Sequence, residues 1–208
     1  MLDITIRPEE LYFLGELMQA QYINYAYVAA MSDISQAYAA EKTNAIKNLG
    51  KRGLVSESLR GGIQVSNDLQ KLLCPVFFSK AENTLHILNL KPEQSAEVLR
   101  FSVLNGNMTM VQMVQNQLKL TEVNETDIRD ALRTKLACLV NQNRNQNLDN
   151  MAERIIQVSS SHIGIGVRKK TYLLQNGGYY GADASGKAVR VSTDEMMEQI
   201  VSVLKEEV

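Results

Sequence analysis

The residues with the clearest chemical potential lie in one segment, Ser159 to Gly166, which reads Ser-Ser-Ser-His-Ile-Gly-Ile-Gly. A serine beside a histidine suggests a nucleophile and its base, and closely spaced glycines suggest a phosphate-binding loop. Successive side chains of an extended strand point to opposite faces, so Ser161 and His162 are not expected to pair. The glycines also lack the third member of a dinucleotide-binding fingerprint. We predict a serine-rich loop leading into a strand, with glycines at a bulge.

The remaining candidate groups for chemistry are scattered along the chain. His86 and His162 have no carboxylate at the spacing of a zinc-binding helix. Cys74 and Cys138 form neither a CxxC motif nor a disulfide framework. Paired acids fall at predicted helix ends, where the helix dipole, solvent or fraying accounts for them: Glu9 with Glu10, Asp194 with Glu195, and Glu206 with Glu207. The sequence therefore predicts no catalytic residues, no cofactor and no metal.

Composition argues against a dedicated nucleic-acid-binding protein. The 208 residues carry a formal net charge of −1, whereas such proteins are usually strongly basic. No apolar run approaches the roughly 20 residues that span a bilayer, and the N-terminus lacks the pattern of a signal peptide. With two cysteines, the chain is expected to be a cytoplasmic protein without membrane insertion.

A helical unit that resembles a winged helix is predicted over residues 8–79. After an N-terminal strand, Pro8 suits the first turn of a helix, and leucines at helical spacing continue it. The segment Tyr22–Val28 is either more helix, which we favour, or a tyrosine-rich strand.

The second half of this unit has the order helix, wing, helix. A helix runs from Ile34 to Leu49, with Ser32 or Asp33 as its cap and Gly50 as a left-handed stop. A wing with a Gly61-Gly62 turn follows, and a last helix begins at Ser66 and is ended by Pro75.

Basic residues are concentrated in the same region. Seven lysines or arginines lie between Glu41 and Lys80, against three acids. A winged helix would place its last helix in the major groove and its basic wing near the phosphates. That helix offers only Asn67, Gln70 and Lys71 as polar readers, so DNA binding is the alternative hypothesis.

A first strand-rich segment, 84–140, ends in a helix. Asn105-Gly106 is a strong signal for a tight hairpin, and Asn124 with Asp127 forms an acidic capping box for the helix. Four strands are predicted: Leu85–Leu88, Val98–Leu104, Met108–Val114 and Leu118–Val123.

A second segment, 163–206, repeats this order after a linker. Asn141–Asn150 is almost wholly amide and charge and is predicted to be an exposed loop, and Met151–Val158 is predicted to begin a short helix. Ser192 and Glu195 cap a last helix. Three strands are predicted: Ile163–Leu174, Tyr179–Ala182 and Lys187–Val191.

These patterns predict a single α+β domain over residues 1–208. An antiparallel sheet would be built from two meanders, with helical subdomains and a quasi-two-fold repeat. Surface methionines and tyrosines suit adaptable protein contacts. Predicted partner-binding residues are Met108, Met110, Tyr179 and Tyr180.

One order of motifs resembles a known family. Lys51-Arg52-Gly53-Leu54-Val55, the Gly-Gly wing, Asp68–Pro75, and then a meander with a capped helix are similar to the EspG-like chaperones of type VII (ESX) secretion. The resemblance implies a central sheet with two helical subdomains that binds helical secretion substrates in the cytoplasm, without enzymatic activity. It transfers no individual binding residue.

Two functional hypotheses follow. The first is a non-enzymatic chaperone or adaptor that holds an apolar helical surface of a secreted protein. The alternative is a winged-helix regulator that binds DNA and senses a ligand or partner through its C-terminal half.

Overall fold

The computed structural model describes residues 2–29, 31, 37–58, 61–90, 96–144, 154–162, 166–182 and 185–207, without the side chains of 89 and 140–144. The helices in these ranges are α1 Pro8–Leu17, α2 Tyr25–Val28, α3 Tyr38–Lys51, α4 Asn67–Phe78, α5 Glu125–Arg144 and α6 Thr193–Leu204. The strands are β1 Asp3–Ile6, β2 Val55–Glu57, β3 Ile63–Val65, β4 Ala81–Asn89, β5 Glu97–Leu104, β6 Asn107–Val114, β7 Gln117–Val123, β8 Arg154–His162, β9 Gly166–Gln175, β10 Gly178–Ala182 and β11 Ala188–Val191.

The chain forms two compact units. The first comprises Met1–Ser79 and Ser102–Glu122, and the second comprises Lys80–Phe101 and Val123–Val208. The predictions of a single domain over 1–208, and of repeat units at 84–140 and 163–206, stay predictions.

The first unit packs α1, α3 and α4 with β1, β6 and β7 around one apolar cluster that includes Leu11, Leu49, Leu72 and Leu118. Glu10 lies buried at the start of α1, where it accepts the Arg7 backbone N–H at 2.9 Å and pairs with Arg52 at 3.3 Å. This carboxylate therefore caps α1 and attaches it to the end of α3.

The predicted order of helix, hairpin and helix is confirmed, but two helix ends were wrongly predicted. Helix α3 continues through Gly50, and the left-handed residue is Gly53 (φ +69°), where Leu54 N–H bonds Leu49 O at 3.0 Å. Helix α4 continues through Pro75 to Phe78. Tertiary packing outweighs the lost hydrogen bond, because Pro75 itself is buried with its neighbours. The predicted start of α3, at 32–36, lies outside the described residues.

The tyrosine-rich segment forms helix over only one turn, α2. The Asn24 side chain accepts the Ala26 backbone N–H at 2.8 Å and caps it. The helical interpretation is therefore confirmed for Tyr25–Val28.

The larger sheet has the strand order β1-β7-β6-β5-β4-β8-β9-β10-β11, and β2 with β3 forms a separate hairpin. Strands β4 to β7 follow one another outward from the middle of the sheet in one direction, and strands β8 to β11 do so in the other. Each of these meanders is followed in the chain by a helix, α5 after the first and α6 after the second. Asn105 (φ 51°) and Gly106 (φ 74°) form the predicted hairpin turn. The predicted α+β class with two antiparallel meanders is confirmed.

Two predictions were wrong for the segment that forms strand β8. Residues 154–158 were predicted as helix and Ser159–Ser161 as a loop, yet Arg154–His162 forms one strand paired along its length with β4. Helix α5 also continues through Asn141 to Arg144, where a loop was predicted. The rest of that predicted loop, the predicted helix start at 151–153 and the predicted glycine bulge at 163–165 lie outside the described residues.

In the second unit, α5 and α6 pack on the same face of the sheet. Tyr179 OH donates to Leu136 O of α5 at 2.9 Å, and Tyr172 OH donates to Gln199 Oε1 of α6 at 2.7 Å. The strand register places Tyr172 and Tyr179 on one face, because Tyr179 pairs with Leu174. The predicted caps are also confirmed at Asn124 with Asp127 and at Ser192 with Glu195.

Candidate functional site

A serine and a histidine do meet on β8, but they are Ser160 and His162. These residues are two apart and so share a face, with Ser160 Oγ 2.9 Å from His162 Nε2. Glu206 Oε2 lies 3.5 Å from the same nitrogen, whereas in a Ser-His-acid triad the acid bonds the other ring nitrogen. His162 Nδ1 has no hydrogen-bond partner among the described residues. The arrangement is therefore not a catalytic relay.

The same cluster has a structural role. Asn83 and Ser160 are fully buried, and Ser160 Oγ donates to Asn83 Oδ1 at 2.6 Å. Asn83 Nδ2 donates to the carbonyl oxygens of Leu204 and Glu206, both at 2.9 Å. These bonds attach the chain that leaves α6 to the central pair of strands, β4 and β8.

The four predicted partner-binding residues divide by exposure. Met108 is 8% exposed and Tyr179 is 2% exposed, and burial raises the pKa of the Tyr179 hydroxyl. A surface contact does not fit these two side chains, because both belong to the packed interior. Met110 and Tyr180 are partly exposed and remain available for such a contact.

The sheet of the second unit has an open face, defined here as the face opposite α5 and α6. Side chains alternate across a strand, so the residues next to Tyr172 and Tyr179 in sequence point to this open face. They include Leu173 and Tyr180, which are partly exposed. One side of this sheet is thus a packed core and the other a surface.

A continuous row of side chains crosses the open face. The register pairs Leu88 with Ile155, Ile155 with Leu173, and Leu173 with Tyr180, on strands β4, β8, β9 and β10. All four residues are partly exposed. We call them the cross-strand row. Arg190 of β11 pairs with Tyr180 and ends the row.

An uncharged polar row lies beside the cross-strand row. His86 pairs with Gln157, and Gln157 pairs with Thr171. Burial, and next the nearby Arg100, lower the pKa of His86, so the imidazole is neutral at pH 7. The next row on this face, Thr84 with Ser159 and Lys169, is also polar, so the open face has one apolar row at one side of polar rows.

The charges of the open face are mainly positive. Lys169 and Arg190 are exposed and have no ion-pair partner among the described residues. Arg100 pairs with Glu82 at 3.1 Å. Three cations against one acid give this face, in the described part of the second unit, an excess of positive charge.

A groove of about 630 Å³ lies on the other face, beside β10, β11 and the start of α6. Gly181 contributes no side chain to it, and Val189 and Glu195 line it. Its polar groups bond one another, because both Lys170 Nζ and Tyr172 OH donate to Gln199 Oε1. Burial raises the pKa of Tyr172 to about 12, so the hydroxyl does not serve as a base at neutral pH.

Two of the three residues predicted to read DNA, Gln70 and Lys71, are engaged within the first unit. Gln70 Nε2 donates to Val65 O at 2.9 Å, and Lys71 pairs with Glu122 at 2.5 Å. Lys42 pairs with Glu16 at 2.8 Å, and Arg52 pairs with Glu10. Much of the local basic excess is therefore neutralised by internal contacts.

The described residues offer neither a cluster of metal ligands nor a membrane-spanning helix. No group of three or more histidine, cysteine or acidic side chains could hold a metal ion there. No helix among them combines the length and apolar character needed to cross a membrane.

Sequence signals could have found part of the cross-strand row. Leu88 and Leu173 lie in predicted strands, where alternation marks one face as exposed. Ile155 was missed because β8 was predicted as helix. Only the register, which depends on pairing between distant segments, joins the four residues into one row.

Comparison with known proteins supports the fold. No protein-family model and no curated protein matches the chain. Among solved structures, the chain is similar to the Mycobacterium tuberculosis type VII secretion system chaperone EspG5, solved in complex with the PE25-PPE41 dimer, with a TM-score of 0.59 and 7% sequence identity. The match covers 98% of this chain and 95% of that chain. The resemblance to EspG-like chaperones is thus confirmed at the level of the fold.

Proposed function

We propose that this protein is a non-enzymatic chaperone or adaptor that binds a helical segment of a type VII secretion substrate in the cytoplasm. The observation that carries the proposal is the cross-strand row on the open face. Partly exposed apolar side chains in a continuous row favour a partner that removes them from water. The fold shared with EspG5, which was solved with a bound PE25-PPE41 dimer, supports the same role.

The chemistry of the second unit also supports binding over catalysis. The hydroxyl of Ser160 is buried and donates to Asn83, so it has no route to a substrate. His86 is paired across the sheet with Val98 on one side and Gln157 on the other, and neither is an acid or a nucleophile. A surface of this kind binds a polypeptide by shape and apolar contact.

The experiment compares three forms of the protein as baits. Wild type, the double variant Ile155→Asp with Leu173→Asp, and the control Asn44→Asp are purified from the native cell with whatever they bind. Asn44 is exposed on α3, outside the open face, so the control adds a negative charge without removing apolar surface. Circular dichroism and thermal unfolding check that all three are folded.

We expect wild type and Asn44→Asp to retain a secreted helical protein that the double variant loses. The purified partner should then bind wild type at least tenfold more tightly than the double variant, since two apolar contacts are replaced by charges. Equal binding by a folded double variant would reject the open face as the site. Recovery of duplex DNA in place of a secreted protein would favour the alternative regulator.

A further inference from the structure

We infer that the partner segment is a single amphipathic helix that lies across the strands of the open face and carries acidic residues on its flank. This inference rests on the proposed function and specifies the partner by its geometry and charge. It uses the spacing of the cross-strand row and the positions of Lys169 and Arg190.

The spacing of the row matches a helix. Neighbouring strands lie about 4.8 Å apart, so the four side chains of the row stand at intervals that total about 14 Å. Apolar residues at positions i, i+3, i+7 and i+10 of a helix stand about 4.5, 10.5 and 15 Å from the first, at a rise of 1.5 Å per residue. One helix lying across the strands can therefore offer one apolar residue to each of Leu88, Ile155, Leu173 and Tyr180.

The positive charges of the open face indicate which residues should flank the apolar residues of the partner helix. Lys169 lies four residues before Leu173 on β9, about 13 Å along the strand. A helix about 10 Å wide on the cross-strand row covers the neutral row of His86, Gln157 and Thr171 and brings its flank toward Lys169. Arg190 lies at the end of the row. Glutamate or aspartate on that flank and at that end would meet two cations that have no ion-pair partner among the described residues.

A second copy of the chain fits the face less well. Docking two open faces would bring two surfaces with an excess of positive charge together, which costs free energy. A helix with basic flanking residues would likewise bring positive charge against the positively charged open face. A helix with an apolar face and acidic flanking residues therefore complements the open face.

The test uses fluorescence anisotropy with full-length protein and labelled helical peptides of about 21 residues, long enough for stable helix. All carry leucine at i, i+3, i+7 and i+10. The flanking positions hold glutamate in one peptide, glutamine in a second and lysine in a third, and a fourth peptide has serine in place of the four leucines.

We expect the glutamate peptide to bind roughly tenfold more tightly than the lysine peptide at low salt, with the ratio narrowing as salt rises. The double variant Lys169→Glu with Arg190→Glu should remove or reverse this preference and leave the affinity for the glutamine peptide unchanged. The control Lys47→Glu, an exposed lysine of α3, should preserve the preference.

The outcomes separate the inference from the proposed function. Equal binding of all three leucine peptides, stronger binding of the lysine peptide, or an equal effect of Lys47→Glu would overturn the acidic flank alone. Failure of every leucine peptide to bind better than the serine peptide would count against the helix-binding function itself.

Discussion

Asn83 shows how a polar side chain becomes part of a core. It is fully buried, and its amide group makes three hydrogen bonds, to Ser160, Leu204 and Glu206. A buried polar group costs free energy unless it is bonded, so each of these contacts depends on the others. The partners lie far from Asn83 in sequence, which is why no local pattern predicted the cluster.

Replacing Asn83 should therefore destabilise the second unit strongly. We expect Asn83→Leu to lower the free energy of unfolding by about 2–4 kcal/mol, because a hydroxyl and two carbonyl groups lose their bonds. Urea denaturation measures the loss, and hydrogen exchange should show faster exchange after the end of α6. Ser161→Ala, which removes an exposed hydroxyl from the neighbouring strand β8, should change stability by less than about 0.5 kcal/mol. A similarly small effect of Asn83→Leu would contradict the structural role of the cluster.

At the scale of elements, the strands with alternating apolar residues could be predicted from the sequence, whereas strand β8 could not. Strands β5, β6 and β7 have local alternation and clear turns, and their predicted positions are confirmed. In β8 the inward positions are Ile156, Val158 and Ser160, and the serine is buried only because Asn83 satisfies it. Three successive serines look like a loop until that distant partner is known.

The hairpin turn between β5 and β6 gives a test at this scale. Gly106 has φ +74°, and a Cβ added there would meet no atom within 4 Å, so its replacement tests backbone conformation alone. We expect Gly106→Ala to lower the free energy of unfolding by about 1 kcal/mol. Gly62→Ala is the matched control, since that site is equally open and lacks a left-handed φ. Equal unfolding midpoints in urea for the two variants would show that the turn conformation is not limiting.

At the scale of the whole molecule, charge argues against the regulator. The net charge is −1. Lys71, a predicted reader of DNA, pairs with Glu122, and Arg52, one of the local basic residues, pairs with Glu10. The fold class and the protein-binding hypothesis were accessible from the sequence through the order of its motifs. The proposed binding surface was not accessible from the sequence, because it is made of residues from four separate strands.

Duplex DNA should consequently bind weakly, if at all. We expect no saturable binding at about 150 mM salt in an anisotropy titration, because Lys42, Arg52 and Lys71 of the predicted winged unit already pair with acids. Tight binding with an affinity that falls steeply between about 50 and 200 mM salt would reverse the ranking of the two functions.

The pairing of β4 with β8 joins distant parts of the chain. The two strands are separated by more than sixty residues, so their pairing costs more chain entropy than the closure of a hairpin. Ile155 joins Leu88 only in the correct register, and a slip by one residue would turn it toward the helices. A nascent or partly folded chain thus has no complete cross-strand row, so a partner that binds this row, as we propose, would bind only after the last half of the polypeptide has been made.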